Sequence, residues 1–77
     1  MSRIELIKKS ISENLINLRK EKGLYIDDLC KKLCMSKRMY IEYEKGRTIP
    51  KFKKIVDICN YYDISFDWLI GFSVEKY

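Results

Sequence analysis

The chain has 77 residues, of which 16 are Lys or Arg and 11 are Asp or Glu, giving a formal charge of +5 at pH 7. That length holds one small domain with no room for a second core, which excludes a multidomain enzyme, and the absence of His excludes a histidine pH switch. An apolar share of 47% is enough for folding, although a domain of this size buries only about 60% of its extended-chain surface. Three cysteines, Cys30, Cys34 and Cys59, are an odd number without a preceding leader pattern of basic start and long apolar run, which points to a reduced, cytoplasmic setting. The longest apolar runs, such as Trp68-Leu69-Ile70, fall far short of the roughly 20 residues that span a bilayer, so no membrane association is expected.

Gly23, Gly46, Pro50 and Gly71 divide the chain into helical blocks. From Arg3 to Glu21, Ile4, Ile7, Ile11, Leu15 and Leu18 recur every three or four residues, the stripe of an amphipathic helix that Gly23 ends. A second helix of about two turns runs from Ile26 to Leu33, with Asp27 and Asp28 in its first turn and Leu29, Cys30 and Leu33 on one side. After Cys34 and Met35, Ser36 is a natural N-cap for a third helix, Lys37 to Lys45, in which Tyr40 and Tyr43 share a face. Beyond Thr48, Ile49 and Pro50, the residues Phe52, Ile55, Val56, Cys59 and Tyr62 give a fourth helix closed by Asp63. Ser65 caps a last short helix carrying Phe66, Leu69 and Ile70, and Gly71 stops it. With no alternating strand pattern, the expected fold is a compact, all-α, five-helix domain over residues 1–71, followed by a short tail, 72–77, that is either a frayed end or a self-association surface.

The second and third helices and their short turn suit a helix-turn-helix, at about residues 26–45, whose later helix reads a nucleic acid. Charge placement supports this, since seven basic residues fall between positions 37 and 54 against two acids, Glu42 and Glu44. Lys37 and Arg38 are base-edge candidates because either cation donates to guanine O6 and N7. Met39 either touches a thymine methyl or packs between helices, and Glu42 either accepts from cytosine N4 or repels phosphate. Cys30 and Cys34 are four apart, with Cys59 a conceivable third ligand, but without His or a second close Cys pair they read as core or surface thiols and no metal is expected. No catalytic arrangement or phosphate loop is present in the sequence, so neither an enzyme nor a cofactor is expected. Tyr40, Tyr43, Tyr62 and Trp68 fit a small core with their polar tips at its edge, whereas Tyr61, Phe72 and Tyr77 are less constrained.

Several marks occur together: Leu15-x-x-Leu18-Arg19 with Lys22-Gly23-Leu24, Leu29-Cys30-x-x-Leu33, Met35-Ser36, Tyr43-Glu44-Lys45-Gly46-Arg47 with Pro50, and Asp63-Ile64-Ser65-Phe66-Asp67-Trp68-Leu69. The stretch from Ile11 to Gly71 thereby resembles the phage-repressor and Cro-like (XRE-type) helix-turn-helix domains of bacterial transcription regulators. The resemblance implies a repressor-like fold and a third helix lying in the major groove of double-stranded DNA. It also implies a structural pair between Arg19 and Glu44, and phosphate contacts from Arg47 and Thr48; by charge Lys45 and Lys51, and by its place at the start of the third helix Ser36, are expected to join them. A symmetric homodimer, formed in solution or only on DNA, reads two half-sites in that scheme.

The chain departs from the family pattern at the start of helix 2, where Tyr25 and Ile26 replace a Ser or Thr followed by Gln. It departs again in the turn, where Cys34 replaces glycine and is expected in a left-handed or strained conformation. Ile26, Ile41 and Glu42 motivate the rival reading of a protein-interaction domain, antirepressor-like or antitoxin-like, on the same scaffold. A sequence-blind DNA binder is a third reading.

Overall fold

The computed structural model describes residues 1–77, and its elements are five helices: α1 (Arg3–Glu21), α2 (Ile26–Leu33), α3 (Lys37–Glu44), α4 (Phe52–Tyr62) and α5 (Phe66–Ile70). The all-α, five-helix expectation holds, with α3 ending one residue before Lys45. The local causes are those that the sequence carries. Ser2, Ser36 and Ser65 each accept from a backbone N–H in the first turn of α1, α3 and α5, meeting donors that have no partner within the helix. Cys34 and Asp63 end α2 and α4 in the left-handed region, at φ of 53° and 56°, a conformation that L side chains other than Asn and Asp seldom adopt.

Fourteen buried apolar residues form one core, with Ile11, Leu15 and Leu18 of α1 packed among residues from all four other helices. Several expected members of the stripes are not in it: Ile7, Val56 and Ile70 are only half-buried, and Ile4, Phe52 and Phe66 are exposed. Ile4 is 55% exposed, and Phe52 is 71% exposed and meets Phe66 in a tilted ring pair with centroids 5.8 Å apart. The position in α4 that does reach the centre is Ile58, which is fully buried. Tyr40 and Tyr62 also differ from expectation, because their hydroxyls do not reach the edge of the core: both are enclosed and neither has a hydrogen-bond partner.

Polar side chains of α1 fasten the helices that pack on it. Asn14 Nδ2 donates to the carbonyls of Trp68 and Leu69 at 3.1 Å each, and Ser10 Oγ donates to Leu69 at 3.3 Å, so the open carbonyl end of α5 is satisfied from α1. Gly71 permits this approach: its φ is +91°, and a Cβ there would lie 2.6 Å from Ser10 Oγ. Ser12 Oγ donates in the same way to the carbonyl of Glu44 at the end of α3. The tail folds back on the domain, with the Ser65 N–H donating to the Lys76 carbonyl at 2.7 Å and Lys76 Nζ reaching Glu21 at 3.2 Å, while Phe72, Val74 and Tyr77 stay exposed. The radius of gyration, 11.5 Å, equals the roughly 11.5 Å expected for a folded chain of this length, so the tail adds no extended arm. No helix is long and apolar enough to cross a membrane.

Candidate nucleic-acid interface

The site is built on α3. Tyr40 and Tyr43 point inward and are buried, which turns Lys37, Arg38 and Met39 outward; Met39 is 44% exposed, so it does not pack between helices. Ile41 and Glu42 lie half-buried on the flank of the helix. With Tyr40 wholly buried and Ile41 half-buried, this flank presents no large exposed apolar patch for a protein contact, although Tyr25, ahead of α2, is 76% exposed. Ser36 sits at the exposed start of α3, its hydroxyl accepting from the Met39 N–H at 3.2 Å.

The orientation of α3 is set from both ends. At its carboxyl end Glu44 meets Arg19 of α1 through two parallel bonds, Nε to Oε2 at 2.7 Å and Nη2 to Oε1 at 3.1 Å, with the two side chains only 20% and 10% exposed. A bidentate pair of planar groups constrains angle as well as distance. The acid raises the guanidinium pKa above its ordinary value, mainly through this hydrogen bonding. The Tyr40 hydroxyl is enclosed beside Glu44 without meeting hydrogen-bond geometry, and burial, with that carboxylate close by, drives its pKa far upward. Burial likewise pushes Tyr62 up to about 12.

At the amino end, Lys54 of α4 donates to the carbonyl of Cys34 at 3.0 Å and reaches that of Leu33 at 3.5 Å. It thus caps α2 and holds the turn, instead of extending the row of cations beyond α3. Lys45, Arg47 and Lys51 are exposed on the segment after α3 and Thr48 is half-buried, while the buried Pro50 anchors that segment to the domain. Cys30 and Cys59 are buried and Cys34 is exposed, all as free thiols, and burial raises the pKa of the first two. The three do not gather into a cluster able to hold a metal ion.

Two of the outward cations are held by acids of the same chain. Lys37 Nζ lies 2.9 Å from Asp27 Oδ1 at the start of α2, and Arg47 Nη1 lies 3.2 Å from Glu42 Oε1. Arg38, Lys45 and Lys51 form no ion pair. In the sequence Asp27 is only an acid favourable to the α2 dipole; its pairing with Lys37 depends on the approach of two helix starts, which spacing along the chain does not reveal.

The sequence model of the helix-turn-helix family matches residues 15–69, the span from the middle of α1 to α5 that contains this arrangement. The chain belongs to the helix-turn-helix family. A relative, described as an uncharacterized HTH-type transcriptional regulator, YqaE, of Bacillus subtilis (strain 168), is 39% identical over 66 residues, covering 84% of this chain and 57% of the relative. The chain thus spans little more than half the length of that regulator. No solved structure gives a significant match. Within the helix-turn-helix, α2 is the supporting helix, Cys34 to Ser36 the turn, and α3 the helix with the outward polar face.

Proposed function

We propose that this helix-turn-helix chain is a sequence-specific double-stranded DNA-binding regulator, a Cro- and C1-like repressor that occupies a bacterial or phage operator from the cytoplasm. The observation that carries the reading is the outward face of α3, where Arg38 and Met39 stand exposed and unpaired while the Arg19–Glu44 pair fixes the helix from behind. Arg38 is the leading base reader, with bidentate reach to guanine. Met39 supplies apolar contact to a thymine methyl, and Lys37 and Glu42 complete the base-facing set. Ser36, Lys45, Arg47, Thr48 and Lys51 meet phosphates, which position the domain without reading sequence.

Residues 1–71 act as the single reading domain. A lone domain of this size covers only about 600 to 1,000 Å², so useful specificity calls for a homodimer on half-sites about 34 Å apart. Its formation on DNA rather than in solution fits the charge of +5, which phosphates offset. The exposed Phe72 and Tyr77 of the 72–77 tail are its candidate contact.

The test is selection of genomic duplexes without a presumed operator, followed by salt titration of the best fragment and a scrambled control. Preference for the fragment of about a thousandfold or more, with a steep salt slope, is expected. Arg38→Gln then relaxes the preference at one base pair, while Arg47→Gln weakens all sequences alike. Equal, weak affinity for both duplexes at physiological salt refutes the reading and favours the protein-partner alternative, for which the exposed Tyr25 beside Ile26 is the specific motive.

A further inference from the structure

Of the outward cations on the reading face, Lys37 is the one held by a different helix. Its ammonium meets Asp27 Oδ1 at 2.9 Å, joining the first residue of α3 to the second residue of α2. The two residues, with Arg19, Tyr25 and Ile26, line a shallow notch of about 300 Å³ between the starts of the two helices. Helix starts carry partial positive charge and N–H groups without partners within the helix, so this notch would favour a phosphate of a loosely docked duplex. Tyr25 offers α2 no side-chain cap, which leaves those donors open. Asp27 places the chain's own carboxylate in that notch, where it competes with a phosphate for the same positive charge.

Resting on the DNA-binding reading above, we propose that Asp27 is a specificity-determining residue that acts through Lys37, occupying its ammonium so that phosphates on non-operator DNA cannot. Non-specific binding is almost wholly electrostatic, and a cation already neutralised by its own chain contributes little to it. In the operator complex the register is set by base contacts from α3. Lys37, in the first turn of that helix, then faces base edges rather than phosphate, and Asp27 only orients it. The acid therefore lowers affinity for wrong sequences more than for the right one. Arg47, held by Glu42 at 3.2 Å, is a second case of the same arrangement, but Glu42 lies on α3 itself and is a candidate base contact, so Asp27 isolates the effect.

The pair is exposed, with the side chains at 57% and 65%, so its strength is that of a surface ion pair and the effect is a small factor. Asp27→Asn is expected to raise affinity for the scrambled duplex by about two- to fivefold at 0.1 M salt and to steepen its logarithmic salt slope by about 0.9, one further phosphate neutralised. Affinity for the selected fragment rises less, and the preference falls. Asp28→Asn removes the same charge from the same turn but no ion pair, and is expected to raise both affinities equally. In a Lys37→Gln background the extra gain from Asp27→Asn is expected to vanish, and thermal melting of each variant confirms that it is folded. If Asp27→Asn behaves as Asp28→Asn does, or if its gain survives in Lys37→Gln, the inference is overturned while a discriminating wild type leaves operator reading intact. A wild type that binds fragment and scramble equally overturns both.

Discussion

Replacing Glu44 by alanine removes an acid that is 10% exposed and leaves its guanidinium partner, 20% exposed, with only the Leu24 carbonyl at 3.4 Å. Breaking a buried pair in this way costs about 3–5 kcal/mol, and the residual access of Arg19 to water brings the figure below that range, to about 2–3 kcal/mol. A domain of 77 residues has about 4–12 kcal/mol in all, so the variant loses a large part of its stability. With a urea slope of about 1 kcal/mol per molar, the midpoint falls by about 2–3 M, and the melting temperature by about 10–20 °C. Helical circular dichroism under urea measures this directly. Arg19→Met and Glu44→Leu complete a double-mutant cycle: together they restore most of the loss, because an apolar pair carries no desolvation cost, and the coupling is about 2 kcal/mol. The double variant is nonetheless expected to bind DNA more weakly than wild type, since an apolar contact does not fix the angle of α3 as two parallel hydrogen bonds do. A loss below about 1 kcal/mol for Glu44→Ala, or strictly additive effects in the cycle, would refute the account of the pair.

Alkaline unfolding is expected between about pH 10 and 12. The folded state holds Tyr62 neutral up to about 12 and Tyr40 beyond that, so their contribution is intact below the unfolded value near 10 and is lost above it. Each such tyrosine costs about 1.4 kcal/mol per pH unit in that window, and tyrosinate absorbance rising in step with loss of helix signal checks it, whereas six tyrosines titrating near pH 10 in a folded protein would contradict it. Tyr62→Phe, which deletes a hydroxyl without a partner, is expected to leave stability equal or higher by thermal melting. Cys34→Gly relieves a non-glycine residue at φ 53° and gains up to about 1 kcal/mol, and a lower melting temperature would show that the thiol makes a contact worth more than the backbone strain. Gly71→Ala forces a Cβ to within 2.6 Å of Ser10 Oγ at a φ of +91° and should lower the melting temperature markedly, with Ser10→Ala relieving little, because the Ser10 Cβ at 2.9 Å and the backbone strain both remain.

How much of this was legible in the sequence depends on whether the cause is local. Helix starts at Ser36 and Ser65 and stops at Gly23 and Gly71 act through the nearest turn, and their positions follow from the residues themselves. Periodicity located most of the core but misplaced its ends: Ile4 continues the stripe of α1 yet is exposed, and Phe52 begins α4 where nothing lies over it except Phe66. Ile58 and Cys59 both fit the three-and-four spacing from Ile55 to Tyr62, so periodicity alone does not tell which of the two reaches the centre. The candidate site divides in the same way. That α3 presents Arg38 and Met39 follows from the burial of Tyr40 and Tyr43, a local matter of which face is apolar. That Lys37 belongs to Asp27, Arg47 to Glu42 and Lys54 to the carbonyls of α2 follows from tertiary approach, which no spacing along the chain encodes.

The polar residues of α1 show why a helix behind the candidate interface bears on what that interface does. Ser12 and Arg19 hold the end of α3, and Ser10 and Asn14 hold the end of α5, so one rigid 19-residue helix references both to a common axis. None of these four is a strong helix former except Arg19, and in an exposed helix such residues would be a mild liability. Ser10, Ser12 and Asn14 sit where carbonyl ends need donors and Arg19 where a carboxylate needs a partner, which exchanges local helix propensity for a fixed angle between helices. Base reading demands that exchange, because a side chain displaced by about 1 Å no longer meets both acceptors of a base edge. A domain held together by apolar packing alone would melt at a similar temperature and still leave α3 free to rock. The polar fastening of α3 is therefore the feature that links the stability of this fold to the sequence preference proposed for it.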